Sequence, residues 1–168
     1  MFQVGDRVIY GTEGVCRVER VEKLRVSGQT ALYYVLSPVY REGATVYVPL
    51  DNERLTERMK RVLSAEELET LLAETAQTEP LWLDNPNERK QLYSVVLLGG
   101  DRQELLRLVR TLYLRREKLT AQGKHLRAAD DQALRDAERM INGEFALVLN
   151  IPRHEVPAYI RARLEQVV

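Results

Sequence analysis

The chain has 168 residues, of which 45% are hydrophobic and 30% are charged, and its formal net charge is zero. This composition is typical of a globular protein, and the length is sufficient for one compact domain or two small ones. The sequence contains no apolar run of about 18 residues and no secretory signal pattern, so neither a membrane span nor export is expected. Cys16 is the only cysteine, which excludes an internal disulfide and favours the cytoplasm.

Residues 1–50 predict short β-strands that are separated by tight, glycine-containing turns. The predicted strands cover residues 6–10, 15–22, 31–36 and 45–48, and residues 4–6 could add another. Pro49 ends the last of them because proline donates no ladder hydrogen bond. Four or five such strands predict a small, strongly bent sheet or an open barrel.

The pattern changes to helical periodicity after residue 52. Ser64 and Glu67 have the spacing of a capping box, and an apolar stripe follows at Leu68, Leu71 and Leu72. Residues 75–87 have no clear period and contain two prolines, so they predict a linker with Trp82 inside it. The predicted class is therefore α+β, with a β module at residues 1–60, a helix and linker at 61–86, and an all-helical bundle at 87–168.

Within residues 87–168, glycines, prolines and capping residues divide the chain into several predicted helices. Gly99 and Gly100 stop the first, and Asp101 caps the second. On the second helix the apolar spacing places Leu105, Leu108, Val109 and Leu112 toward a core, and Arg107 and Arg110 on the exposed face with Leu114. The remaining predicted boundaries are a break at Gly123, a helix start at Asp130 or Asp131, a stop at residues 150–152, and a last helix through Ile160 and Leu164.

Positive charge is concentrated in the helical half. Residues 89–127 contain 10 Lys or Arg and 3 Asp or Glu, whereas residues 1–78 contain 10 and 12. Such a basic segment could neutralise phosphates and bind nucleic acid through its backbone, or it could be an ordinary solvated helical face.

The sequence offers no arrangement that predicts catalysis. It has no pair of cysteines or histidines at a metal-ligand spacing, no glycine-rich phosphate loop between a strand and a helix, and no nucleophile elbow. His125 and His154 are far apart in sequence, and each is expected to be a surface histidine. We therefore expect a protein that is not an enzyme and that uses no cofactor and no metal.

Two further features leave alternatives open. Trp82 could be an apolar wedge against an opened base step, or it could cover the junction between the two modules. Residues 45–48 could be an unpaired edge strand that invites a partner's strand, or a central strand of the sheet.

Several segments together resemble the CarD-type transcription regulators. The similarity lies in residues 2–10, 14–15, 34–36 and 46–49 of the first half, and in residues 100–101, 109–113, 137–140 and 143–146 of the second. The first half alone is also similar to the polymerase-binding module of transcription-repair coupling factors. The resemblance implies a Tudor-like barrel that docks on the β subunit of RNA polymerase, partly by strand addition. It also implies a helical domain that contacts the upstream edge of the opening promoter and stabilises the open complex.

The resemblance also implies site residues. Carried over position by position, the polymerase contacts are Arg25, which lies beside a basic docking position, and Thr45, Val46, Tyr47 and Val48. The implied DNA contacts are Trp82 and, matched by basic character rather than by a strict motif and making weak, non-specific contacts to the backbone, Arg89, Lys90, Arg107, Arg110, Arg115, Lys124 and Arg127. The family's wedge tryptophan corresponds to a position near Pro86 or Asn87, so either Trp82 takes that role or this chain lacks the wedge.

The function that we expect is therefore a cytoplasmic, monomeric transcription regulator that binds the polymerase β subunit with its first module and promoter DNA with its second. It would be associated with the nucleoid through polymerase. The alternative is a protein–protein adaptor on polymerase that makes no direct DNA contact.

Overall fold

The computed structural model describes residues 1–165, and the chain divides into two compact units, Met1–Leu63 and Ser64–Val168. The first unit is a β-sheet and the second is helical, which confirms the α+β class. The helical domain that we predicted extends to residue 168, and its last three positions lie outside the described residues. No helix in the described part of the chain is both long enough and apolar enough to cross a membrane.

The first unit contains a five-stranded antiparallel sheet with the strand order β4-β3-β2-β1-β5. The strands are β1 (Arg7–Tyr10), β2 (Val15–Val26), β3 (Gln29–Pro38), β4 (Val46–Pro49) and β5 (Met59–Arg61), and a short helix α1 (Glu53–Thr56) precedes β5. Neither α1 nor β5 was predicted. Elements of four and three residues are too short to show a period in the sequence.

The β2–β3 hairpin is longer than the sequence predicted. Its ladder continues to the pair Val26 and Gln29, and the turn residues Ser27 and Gly28 have φ values of +52° and +80°, as a two-residue hairpin turn requires. The outer half of β2 has no β1 partner, because β1 pairs only with the residues up to Arg17. That half is exposed over most of its length. Because most of its residues are polar, the sequence does not show the apolar alternation that predicts a strand.

One apolar core fills the sheet unit. Val8, Cys16, Val18 and Leu36 are completely buried in it, and the two outermost strands also contribute, Val48 from β4 and Met59 from β5 among others. A core shared by both outermost strands indicates a curved sheet. Burial raises the pKa of the Cys16 thiol to about 11, which fits its predicted role as a small apolar side chain.

The described helices of the second unit are α2 (Ala65–Ala76), α3 (Pro86–Gly99), α4 (Arg102–Ala121), α5 (Ala128–Leu149) and α6 (Val156–Glu165). The predicted capping box of α2 is present: the Glu67 amide donates to the Ser64 hydroxyl at 3.1 Å and the Glu67 carboxylate accepts from the Ser64 amide at 3.2 Å. Asp101 caps α4 by accepting from the amide of Glu104. Gly100 ends α3 in the left-handed conformation.

The start of α5 differs from the prediction. The helix begins at Ala128, and Arg127 occupies the N-cap position without a capping hydrogen bond from its side chain. Asp130, which was predicted as a possible helix start, is buried in the first helical turn. The predicted apolar face of α5 is confirmed, because Leu134, Ala137, Ile141 and Phe145 are all buried.

The segment that was predicted as a linker lies within the second unit. Residues 78–81 are bound along α4: the Leu81 amide donates to the Thr111 hydroxyl at 3.0 Å, and Arg107 Nε donates to the Glu79 carbonyl at 2.8 Å. Arg110 donates in the same way to the carbonyl of Thr78. Arg107 and Arg110 therefore do not simply face solvent as predicted, because they satisfy backbone carbonyls that have no helical partner.

Candidate functional site

The fourth strand forms one outer edge of the sheet. It pairs with β3 and with no other strand of the sheet, which supports the edge alternative over a central strand. Val48 is completely buried and Val46 packs against the core, whereas the Tyr47 side chain between them is 49% exposed. The strand is thus anchored by one face and open along one side.

The register shows which backbone groups of this edge have no partner strand. The Leu50 amide donates to the carbonyl of the residue opposite it on β3 at 2.9 Å. Alternate residues of an antiparallel pair face the partner strand, so the N–H and C=O groups of Val46 and Val48 also face β3. The N–H and C=O groups of Thr45 and Tyr47 consequently face away from the sheet, where an added strand could pair with them.

The opposite outer strand is poorly suited to strand addition. β5 has three residues, and its exposed Lys60 and Arg61 are of the kind that blunts edges against pairing. Arg25, the other predicted polymerase contact, is exposed but lies on β2 opposite Thr30, near the end of the hairpin. The strand β3 separates it from β4, and its contact with polymerase stays a prediction.

In the second unit, Trp82 packs against two guanidinium groups. The Cζ atoms of Arg89 and Arg115 lie 4.3 Å and 4.6 Å from the centre of its ring system. Both distances are within the range of cation–π contacts. Trp82 therefore belongs to a stacked assembly within the helical unit, and the wedge and junction roles considered from the sequence stay predictions.

Arg89 is the centre of a buried polar cluster. Its Nε and Nη2 atoms donate to the two carboxylate oxygens of Asp130 at 3.0 Å and 3.2 Å, and its Nη1 atom donates to the carbonyls of Leu83 and Asp84. The Tyr93 hydroxyl donates to Asp130 Oδ1 at 2.6 Å. The Tyr93 pKa is raised above its ordinary value, mainly by burial and also by this carboxylate. The cluster fastens the chain around Trp82 to α3 and to the first turn of α5.

Beside this cluster lies a cleft of about 300 Å³, which we call the Trp82 cleft. Its wall combines an aromatic ring, several cations and two carboxylates. The lining residues are Trp82, Asp84, Arg89, Arg115, Leu119, Lys124, His125, Arg127 and Asp130.

The cations around the cleft differ in how they are used. Arg89 is 5% exposed and paired with Asp130, so its charge is already used inside the helical unit, and its predicted contact with DNA stays a prediction. Lys124 and Arg127 are exposed and form no ion pair or side-chain hydrogen bond with another described residue. Arg115 is partly buried by its stacking on Trp82. Three cationic groups therefore remain for an external anion.

A family comparison identifies the first unit. Residues 2–63 match the model of the CarD-like/TRCF RID domain. The match covers the sheet unit almost from end to end, including β4. The first unit is a CarD-like RNA polymerase-interacting module. The match indicates that this unit interacts with RNA polymerase in transcription.

Outside the CarD-like module, the structure brings together five of the eight predicted DNA-contact residues. Trp82, Arg89, Arg115, Lys124 and Arg127 all line the Trp82 cleft. The other three do not: Lys90 is an exposed residue of α3, and Arg107 and Arg110 are bound to carbonyls along α4.

His125, Leu119 and Asp84 were not predicted as site residues. His125 was expected to be an isolated surface histidine, yet it lines the cleft between Lys124 and Arg127. Its position between two predicted contacts in the α4–α5 loop was the only signal available in the sequence. Asp130, which was predicted only as a helix start, closes the polar cluster beneath the cleft.

Proposed function

We propose that the CarD-like module docks on the β subunit of RNA polymerase by adding a partner strand to β4, and that the helical unit contacts promoter DNA and stabilises the open complex. The unpaired outer edge of β4, in a module matched to polymerase-interacting domains, carries this proposal. In this proposal the CarD-like module is a Tudor-like barrel. The chain acts by binding rather than by catalysis, as a cytoplasmic monomer that reaches the nucleoid through polymerase.

The support for a DNA contact is the set of cations without an internal partner. Among the basic residues of positions 89–127, Lys90, Lys118, Lys124 and Arg127 are exposed and unpaired within the described chain. Lysine and arginine at such positions neutralise phosphates and release counterions, which gives sequence-independent affinity. The contact proposed is therefore backbone binding at the Trp82 cleft and on the exposed cations around it.

The adaptor function, without DNA contact, remains the second candidate because other arginines of the basic segment have internal roles. Arg102 binds Glu144 through two hydrogen bonds of 2.7 Å, and Arg116 lies over the ring of Tyr113. Arg89, Arg107 and Arg110 also have internal partners. Fewer cations are therefore available for DNA than the 10 Lys or Arg of residues 89–127 suggest. A gel-shift series on forked promoter DNA at increasing salt separates the two functions, since only phosphate binding weakens steeply with salt.

The docking proposal is tested by removing one hydrogen-bond donor from the outer edge. Tyr47→Pro deletes an N–H group that faces away from β3, so the β3–β4 ladder keeps its hydrogen bonds and the fold is retained. We expect affinity for polymerase, measured with the full chain on immobilised enzyme, to fall by about tenfold or more. Tyr47→Thr keeps the donor and is the matched control.

The two variants separate backbone pairing from side-chain docking. Equal loss in Tyr47→Pro and Tyr47→Thr would show that the tyrosine ring carries the contact. Unchanged binding in a folded Tyr47→Pro protein would remove β4 as the docking strand. Tyr47→Glu adds a charge at the same position and is expected to abolish binding. The lifetime of open complexes with and without the protein tests the last step of the proposal.

A further inference from the structure

The Trp82 cleft is too small for a double helix but large enough for one nucleotide. Its volume of about 300 Å³ is at the lower end of the range for small-ligand sites. The major groove of DNA alone is about 12 Å wide, so a duplex can lie across the mouth of the cleft but not inside it. Whatever occupies the interior is a single compact unit.

The charge of the lining favours an anion. Arg89 and Asp130 neutralise each other in the buried pair, which leaves Arg115, Lys124 and Arg127 against the single carboxylate of Asp84. These three cations form no ion pair with another described residue. A phosphate group would supply the oxygens that their N–H donors lack, and arginine binds phosphate oxygens through two donors at once.

The rest of the lining suits a nucleoside. Trp82 carries the planar guanidinium of Arg115 against its ring, and unpaired bases stack on aromatic rings and on arginine planes. Leu119 adds an apolar side chain. The Asp84 carboxylate can accept a hydrogen bond from a sugar hydroxyl or a base amino group. Inorganic phosphate would contact the cations but not the Trp82 ring, Leu119 or the Asp84 carboxylate, so this lining favours a nucleoside phosphate over phosphate alone.

We propose that the Trp82 cleft binds one nucleoside phosphate unit, with its phosphate on Lys124 and Arg127 and its base against the Trp82–Arg115 stack. This inference rests on the proposed function, because it specifies what enters the same surface that contacts DNA. The unit is either a free nucleotide or an unpaired nucleotide of a DNA strand, since both present the same phosphate and base.

The chain provides its own probe, because Trp82 is its only tryptophan. We expect adenosine 5′-monophosphate to change Trp82 emission in a saturable way when the indole is excited at the red edge of its absorption, where adenine does not absorb. Adenosine and inorganic phosphate, which each supply half of the contacts, are expected to bind at least about tenfold more weakly. Equal binding by all three compounds would overturn the assignment of a combined site.

Variants locate the site. Lys124→Gln combined with Arg127→Gln should weaken binding of adenosine 5′-monophosphate by about tenfold or more, because two of the three unpaired cations are lost. Arg135→Gln combined with Arg139→Gln is the matched control, since it removes two exposed charges from α5 outside the cleft and should leave the affinity unchanged. If the double variant binds as tightly as the unchanged protein, the ligand lies elsewhere and the proposal fails.

Fluorescence anisotropy of labelled DNA distinguishes the two sources of the nucleotide and separates this inference from the proposed function. If adenosine 5′-monophosphate displaces a single-stranded oligonucleotide but not a duplex, the cleft takes an unpaired nucleotide of the strand. Saturable nucleotide binding without any DNA binding supports the cleft as a free-nucleotide site and overturns the proposed DNA contact. No saturable binding of the nucleotide, alongside salt-sensitive duplex binding, overturns the inference and leaves the proposed function standing.

Discussion

The two units present their candidate sites through different chemistry. In the CarD-like module the site is backbone: the outward N–H and C=O groups of Thr45 and Tyr47 on an edge strand. In the helical unit it is side chain: Lys124 and Arg127 beside the Trp82–Arg115 stack. A backbone site tolerates uncharged changes of side chain but not the loss of a donor, whereas a side-chain site responds to charge and to salt.

The comparison also shows why positive charge alone is a poor guide to a binding surface. Arg89 and Arg102 belong to the same basic segment as Lys124 and Arg127, yet both are paired with carboxylates of α5. They hold the helical unit together, and the exposed cations are left for a partner. Three predictions test this division between structural and binding groups, beginning with the largest effect, and a fourth tests the core of the sheet unit.

The buried polar cluster should be the most sensitive point of the helical unit. Asp130→Ala leaves Arg89 as an uncompensated buried charge, and such changes cost about 3–5 kcal/mol of unfolding free energy. Urea unfolding, followed by the fluorescence of Trp82, measures this loss of stability in the helical unit, which contains the only tryptophan. The neighbouring Asp131→Ala is the control, because its ion pair with Arg135 is largely exposed and is expected to contribute about 0–1 kcal/mol. Similar losses for both variants would contradict the distinction between buried and exposed pairs.

Reversing the unpaired cations should affect DNA and not polymerase. Lys124→Glu with Arg127→Glu is expected to weaken duplex binding by more than about tenfold and to reduce the slope of log affinity against log salt by about two. Arg135→Glu changes a charge on the exposed side of α5 and serves as the control. If polymerase affinity falls together with DNA affinity, the two sites are not independent.

Arg127 should show opposite effects on stability and on binding. It occupies the N-cap of α5 without a capping hydrogen bond, and a cation at this end of a helix is unfavourable. Arg127→Asp supplies a capping carboxylate and is expected to raise the unfolding free energy by about 1 kcal/mol while weakening DNA binding. Arg127→Ala removes the charge without adding a cap, so it should lose binding with a smaller gain in stability. Chemical denaturation and DNA anisotropy measure the two effects separately.

The smallest effect is expected at Cys16. The thiol is completely buried and its pKa is raised to about 11 by that burial, so it stays protonated at neutral pH. Iodoacetamide should leave the native protein unmodified and its polymerase binding unchanged, while urea-unfolded protein is alkylated, as mass spectrometry would report. Because the pKa in the folded state exceeds the ordinary value of 9.0, the thiol favours unfolding as the pH rises from there toward 11. Rapid modification of the native protein at neutral pH would contradict the burial of this residue.

Sequence reasoning was most successful where the determinant is local. The capping box at Ser64, the Asp101 cap and the helix stops at Gly100 and Asn150 depend on residues within a few positions of each other. The alternation of the first 50 residues likewise predicted the four longer strands, although not the full length of the β2–β3 hairpin. The same patterns could not reveal α1 or β5, since neither is long enough to repeat a period.

By itself the sequence determined the division into a sheet unit and a helical unit and the placement of excess positive charge in residues 89–127. The tertiary structure alone decided that β4 lies at the edge, that residues 78–81 run along α4, and which arginines bind internally. The physical reason is the distance along the sequence between the residues that interact. Capping and periodicity act between neighbours along the chain, whereas the partner of a strand edge or of a guanidinium is set by residues far away in sequence: 41 positions separate Arg89 from Asp130. The family match then gave the sheet unit its role in polymerase binding.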